Sequence, residues 1–251
     1  MVGIVVVFDF DKTIIDSDNW VVDELGATDL LNDLLPTMPW NSLTELHARG
    51  KTIEDIADVF KRIPIHPIIV TIVPAIKAAH ALGCDLRIVS DANTFFIETI
   101  LKHLELREKG IFPYHDSHRP PHGCSLCPPN MCKGLIIERI QASVYKEEEK
   151  FIYLGDGSGD YCPSLKLGDV DHVMPRKDFP GWDLIYKKPL LIKAEIHDEW
   201  IDGEDLERIL LGLINKVSIE ETDQFISAEY KLQTISVCPH ESLPKALPVQ
   251  Q

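Results

Sequence analysis

Val2-Gly3-Ile4-Val5-Val6-Val7-Phe8-Asp9-Phe10-Asp11-Lys12-Thr13 opens the chain with an almost unbroken apolar, β-branched run, followed at once by two carboxylates one residue apart. A continuous run of this kind predicts a strand covered on both faces, as in the middle of a parallel sheet. A strand with one wet face would alternate instead.

Three further runs of strand character lie at Asp85 to Val89, Lys150 to Leu154 and, more weakly, Asp171 to Met174. Helical spacing recurs between them, with Phe96, Ile97, Ile100, Leu101 and Leu104 inside Asn93 to Leu106, and Leu135, Ile136, Ile137 and Ile140 inside Gly134 to Val144. The alternation predicts an α/β fold with a doubly wound, mostly parallel sheet.

From Trp20 to Phe60 the alternation gives way to partly polar helical sequence, with Asp23 to Leu35 and a capped start at Thr52-Ile53-Glu54-Asp55. This predicts a core of residues 1–19 and 74–217 carrying a small helical cap of residues 20–73. The apolar Ile68 to Val73 run beside His66-Pro67 has no place in that scheme. A last helix is expected over Glu204 to Val217. The segment 218–251 loses periodicity, ends in Pro-rich polar sequence and reads as a disordered tail.

The chain has 251 residues, 45% of them apolar, which is enough for one core and a small accessory unit. Against 40 acidic side chains stand 25 basic ones, a net charge of −15 that disfavours nucleic acid and anionic membrane surfaces as partners. A small anionic substrate then needs a metal ion or a local cationic pocket. The six cysteines are too sparse for a secreted disulfide scaffold, and residues 2–8 are too short for a membrane span and lack a basic leader. Reduced thiols and a cytoplasmic setting are the expectation.

Asp9 and Asp11 leave the carboxyl end of a buried strand, which in an open α/β sheet is the ligand-binding edge. Carboxylates at i and i+2 can converge on one small volume, where their repulsion calls for a hard cation such as Mg²⁺. With metal and phosphate present, Asp9 can attack phosphorus while Asp11 protonates the leaving oxygen and then deprotonates water. The alternative is that the pair only caps a helix over Thr13 to Trp20.

A second acidic turn, Gly155-Asp156-Gly157-Ser158-Gly159-Asp160, also follows an apolar run. Its glycines suit close approach of backbone to an ion, with Asp156 as ligand and Asp160 holding waters or orienting Asp156. A plain acidic loop or a weak Ca²⁺ site is the competing reading. Ser90, at the end of Leu86-Arg87-Ile88-Val89, offers a hydroxyl to a phosphate oxygen. Lys133, at a helix start, offers a charge to the phosphoryl group.

In that order these segments resemble the four motifs of the haloacid dehalogenase superfamily: Asp9-Phe10-Asp11-Lys12-Thr13, Ser90, Lys133, and Gly155-Asp156 with Asp160. More narrowly, the chain is similar to phosphoethanolamine/phosphocholine phosphatases and their plant relatives described as pyrophosphatase-like or thiamine-phosphate-phosphatase-like. This rests on Ile88-Val89-Ser90-Asp91-Ala92-Asn93, Cys127-Pro128-Pro129-Asn130-Met131-Cys132-Lys133, Gly159-Asp160-Tyr161-Cys162-Pro163 and Met174-Pro175-Arg176-Lys177. The likeness runs from about Val2 to Val217. It implies a Rossmann-like core and a Mg²⁺ site made by the side chains of Asp9 and Asp156 with the backbone carbonyl of Asp11. It also implies that Asp18, Asp91 and Asn93 face the substrate, the two carboxylates favouring a cationic leaving group such as choline, ethanolamine or the thiamine thiazolium. The chain departs from the family in a shorter cap around Trp40 to Leu46 and in a direct passage from Gly110-Ile111-Phe112-Pro113 to Tyr114-His115-Asp116.

His122, Cys124, Cys127 and Cys132 have residue types and spacing suited to tetrahedral Zn²⁺, but a packed loop that positions Lys133 accounts for the same cysteines. His115, His118 and His122, with Arg119, read as a solvated loop, with phosphate steering as the alternative, and Arg176-Lys177 as a surface charge pair, with attraction of phosphate as the alternative. The expected activity is Mg²⁺-dependent hydrolysis of a small phosphomonoester. Inorganic pyrophosphate is the alternative substrate, and a phosphate-binding homologue without turnover is the alternative class.

Overall fold

The computed structural model describes residues 3–15, 58, 67–92, 94–106, 122–128, 131–144, 149–197 and 199–233. The expected cap and the two departures from the family pattern fall almost wholly outside them, as do Asp18 and Asn93.

Strand β1 (Ile4–Phe8) is buried along its whole length, with β2 (Asp85–Ile88) on one side and β3 (Lys150–Gly155) on the other. β4 (His172–Pro175) and β5 (Glu195–Ile196) extend the sheet, giving the all-parallel order β2-β1-β3-β4-β5. The chain steps from β1 to β2 in one direction and then crosses to β3 on the far side. The point where the direction reverses therefore lies between the carboxyl ends of β1 and β3.

Side-chain alternation explains why both faces are covered. Ile4, Val6, Phe8, Ile152, Leu154 and Met174 enter one core with α1 (Pro67–Ala81), α2 (Thr94–His103) and α6 (Gly203–Gln233). Val5, Val7, Phe151, Tyr153 and Val173 enter the other, with α3 (Lys133–Ser143), the one-turn α4 (Tyr161–Ser164) and α5 (Pro180–Lys187). Every residue of β1 is thus apolar because each faces a helical layer.

Two expected boundaries shift. The Ile68 to Val73 run belongs to α1, which starts at Pro67, where a missing N–H costs nothing, so the expected break at residue 74 falls inside a helix whose Ile72 is fully buried. The last helix does not end at Val217 but continues to Gln233. Beyond Val217 the residues Glu220, Glu221, Gln224, Ala228, Lys231 and Leu232 are good helix formers, so propensity carries the helix where the apolar stripe has faded. Among the described residues, no helix is long and apolar enough to cross a membrane.

Candidate active site

Parallel pairing brings two of the sequence-predicted segments to one edge. Phe8 pairs with Leu154 and the Asp9 amide donates to the Leu154 carbonyl at 2.9 Å, so Asp9 and the Gly155-Asp156 turn leave the sheet side by side. The Val89 amide donates to the Phe8 carbonyl at 2.9 Å, which places Ser90 on the other flank of Asp9. Carboxylate oxygens of Asp9, Asp156 and Asp160, all buried, lie within 4.8 Å of one another.

Lys133 links them. From the first turn of α3 its Nζ sits 2.7 Å from Asp9 Oδ2 and 2.7 Å from Asp160 Oδ1, with only 7% of the residue exposed. Asp160 Oδ1 also accepts from the Tyr153 hydroxyl at 2.6 Å, and its Oδ2 accepts from the Gly157 amide at 2.8 Å. With both oxygens engaged, Asp160 holds Lys133 and the 155–160 turn in place. Asp156 Oδ1 accepts from the Thr13 hydroxyl at 3.3 Å, and Asp9 Oδ1 from the Phe10 amide at 2.7 Å.

Three buried carboxylates face one ammonium, and the protonation energetics register the imbalance. Burial first, and the Asp160 charge second, push the Asp9 carboxyl well above its usual range despite Lys133. The same two causes raise Asp156 to about 7, against the pull of Lys133, Arg176 and the Thr13 hydroxyl. Burial alone would depress Lys133, but Asp160 and Asp9 outweigh it and hold the ammonium well above its ordinary range. Three carboxylates against the one ammonium leave this volume short of positive charge, even with Arg176 acting on Asp156.

The family model "Putative Phosphatase" matches residues 4–214, which span all of this constellation. The chain belongs to that phosphatase family. Curated relatives of this phosphatase include "Inorganic pyrophosphatase 2" of Arabidopsis thaliana, 60% identical over 90% of this chain and 91% of the relative. "Thiamine phosphate phosphatase-like protein" of the same plant is 47% identical over 88% of this chain and 99% of the relative. Among solved structures, a HAD family hydrolase from Salmonella enterica serovar Typhi shares the fold with a TM-score of 0.53 at 17% identity, over 83% of this chain and 72% of that one.

Within the phosphatase site the remaining expected residues take definite places. Asp11 is half-buried in a tight turn over Phe10 to Ile15, bridged to Ile15, and most of the alternative helix over Thr13 to Trp20 lies outside the described residues. Ser90 is buried and its Oγ accepts from the Ala92 amide at 3.1 Å, bracing the loop after β2. Asp91 is exposed on that loop, with its charge acting on Lys133. Asp18 and Asn93 lie outside the described residues.

One residue beside the candidate site was placed on the surface by the preferred sequence reading. Arg176 is not a surface charge: it is 5% exposed, its guanidinium lying 4.3 Å from the Phe179 ring centroid and 5.1 Å from that of Trp200. It donates to the Lys12 carbonyl, where the backbone turns left-handed at φ 55°, and its charge acts on Asp156. Its main-chain amide bonds Gly155 at 3.0 Å. The signal was available in Trp200 and Phe179, an aromatic pair suited to seat a guanidinium, but nothing in their spacing pairs them with Arg176. Lys177 is the surface cation expected, paired with Glu199 at 3.1 Å.

Proposed function

We propose that this phosphatase is Mg²⁺-dependent and hydrolyses a small phosphomonoester with a cationic alcohol portion through an aspartyl-phosphate on Asp9. The observation that carries the reading is Lys133 held between Asp9 and Asp160 beside Asp156, at the point where the sheet reverses direction. The donor set fits a hard divalent cation: buried carboxylate oxygens with too little positive charge among them. Asp9 and Asp156 would hold the ion, joined by the Asp11 carbonyl as the family resemblance implies. Bound there, Mg²⁺ would offset the negative charge of the phosphoryl oxygens.

The chain's own residues supply the rest. Asp9 presents a carboxylate oxygen to phosphorus, and the Lys133 ammonium neutralises the phosphoryl group as the bond to the leaving oxygen breaks. Asp11 gives that oxygen its proton, then takes one from the water that cleaves the acyl-phosphate. Ser90 and the amides around it receive a phosphoryl oxygen. Asp91, with Asp18, favours a cationic leaving group by charge.

Purified protein with Mg²⁺ should release phosphate from phosphocholine, phosphoethanolamine or thiamine monophosphate, and Asp9→Asn should abolish it. A folded protein inert toward a broad phosphomonoester panel and pyrophosphate would refute the proposal. Inorganic pyrophosphate is a second reading, favoured by the name of the 60% identical relative. Its leaving group is anionic, so Asp91→Asn should impair a cationic substrate and spare pyrophosphate. A binder without turnover is the third case: it would hold phosphate tightly and be indifferent to Asp11→Asn.

A further inference from the structure

Four cysteines from separate stretches of the chain meet beside the active site. Cys124, Cys127, Cys132 and Cys162 bring their sulfurs within 4.8 Å of one another, with Cys124 Sγ 3.7 Å and Cys132 Sγ 3.8 Å from Cys162 Sγ. All four are free thiols, and contacts of that length are far beyond an S–S bond of about 2.05 Å. They match another geometry. With Zn–S distances of about 2.3 Å, the corners of a tetrahedron lie about 3.8 Å apart.

His122, the ligand that sequence spacing suggested, is engaged elsewhere. Its Nδ1 accepts from the Cys124 amide at 3.1 Å, and its Nε2 faces the Pro128 carbonyl at 2.8 Å. Both ring nitrogens thus brace the loop, and the fourth corner goes to Cys162. The surroundings suit a thiolate cluster. The Leu126 amide donates to Cys124, Lys166 lies close enough for Cys162 and Cys132 to act on its charge, and Cys132 stands at the positive end of α3 as an N-cap without a side-chain cap bond. At Gly134 a Cβ would meet Cys162 Sγ at 2.7 Å, so only glycine lets α3 approach this closely.

We propose that these four thiolates bind one structural Zn²⁺, distinct from the divalent ion of the carboxylate site. Cys132 precedes Lys133, and Cys162 follows Asp160 by two residues. The ion would rivet the loop carrying Cys124 and Cys127 to the two helix starts whose side chains make the 2.7 Å Lys133–Asp160 contact. It would therefore position Lys133 without touching substrate.

Elemental analysis and native mass spectrometry of wild-type, Asp156→Asn and Cys127→Ser proteins, purified without added metal, test this. Expected is one zinc per chain in wild type and in Asp156→Asn, and its loss in Cys127→Ser. Zinc lost in Asp156→Asn but kept in Cys127→Ser would place it on the carboxylates and overturn the proposal. So would a zinc-free wild type, or a disulfide among the four on non-reducing peptide mapping. Should Cys127→Ser fail to fold, wild type exchanged with Co²⁺ decides. Visible absorption of a tetrahedral thiolate complex, with the thiols shielded from iodoacetamide, supports the site, and neither being seen refutes it.

Discussion

At the scale of single residues, Gly155 and Gly159 look equivalent in sequence but do different work. A Cβ on Gly155 would lie 2.4 Å from Asp160 Cγ, whereas one on Gly159 would meet nothing within 4 Å. The glycine is therefore needed for Asp160 to fold back against the strand end, a different reason from close approach to an ion. Gly155→Ala should displace Asp160 and its bonds to Lys133, Tyr153 and Gly157, destabilising by about 1–3 kcal/mol in urea unfolding, while Gly159→Ala should change stability by no more than about 0.5 kcal/mol. Equal effects of the two would contradict the packing described. Asp9, Lys133, Asp156 and Asp160 were legible because each sits immediately beside a strand or helix end that its own sequence announces. The burial of Arg176 was not, because it depends on Trp200, remote in sequence. Arg176→Lys keeps the charge but loses the planar fork and the ring contacts. Turnover should fall about 10- to 100-fold with the circular dichroism spectrum unchanged, as expected for a displaced Lys12 turn. Wild-type turnover in that variant would remove Arg176 from the site.

At the scale of elements, legibility follows how much of the structural reason is local. β1 and β3 are central, so nearly every position must be apolar and the pattern is unmistakable. β5 is two residues long and held by pairing with β4, so its sequence carries almost no signal. α5 is only eight residues, announced by Pro180 but by little else. α6 was read for its apolar stripe up to Val217 and therefore cut short of Gln233. That distinction predicts a gradient along α6. Leu210 is fully buried and Ile219 is 62% exposed, both on the same helix. Leu210→Ala should cost about 2–5 kcal/mol in chemical unfolding, and Ile219→Ala no more than about 0.5 kcal/mol. A large loss at Ile219 would mean that the apolar contact extends past Val217.

At the scale of the whole molecule, a chain of net charge −15 gathers three of its 40 acidic side chains into one buried cluster, so stability and function pull against each other. The direction of the pH effect follows from Asp156. Its carboxyl ionises at about 7 in the fold against an unperturbed 3.8. As pH rises from about 4 to about 7 the unfolded chain gives up this proton and the folded one keeps it. The group then lowers the stability of metal-free protein progressively across that window, and fully above it. His172 works oppositely: burial, then His197, lower it to about 4, so stability rises as pH climbs from 4 toward 6.5. A wild-type pH profile mixes the two, and a substitution separates them. Without divalent cations, Asp156→Asn should melt higher than wild type at pH 8 and by a smaller margin at pH 5, at about 2–4 °C for each kcal/mol recovered. Adding Mg²⁺ at pH 8 should raise the wild-type midpoint and move that of Asp156→Asn much less, because ligand binding to the folded state alone stabilises it. If Asp156→Asn instead melts lower than wild type in metal-free buffer at pH 8, the buried carboxylates are not short of positive charge, and the electrostatic case for a divalent ion at this edge of the sheet fails with them.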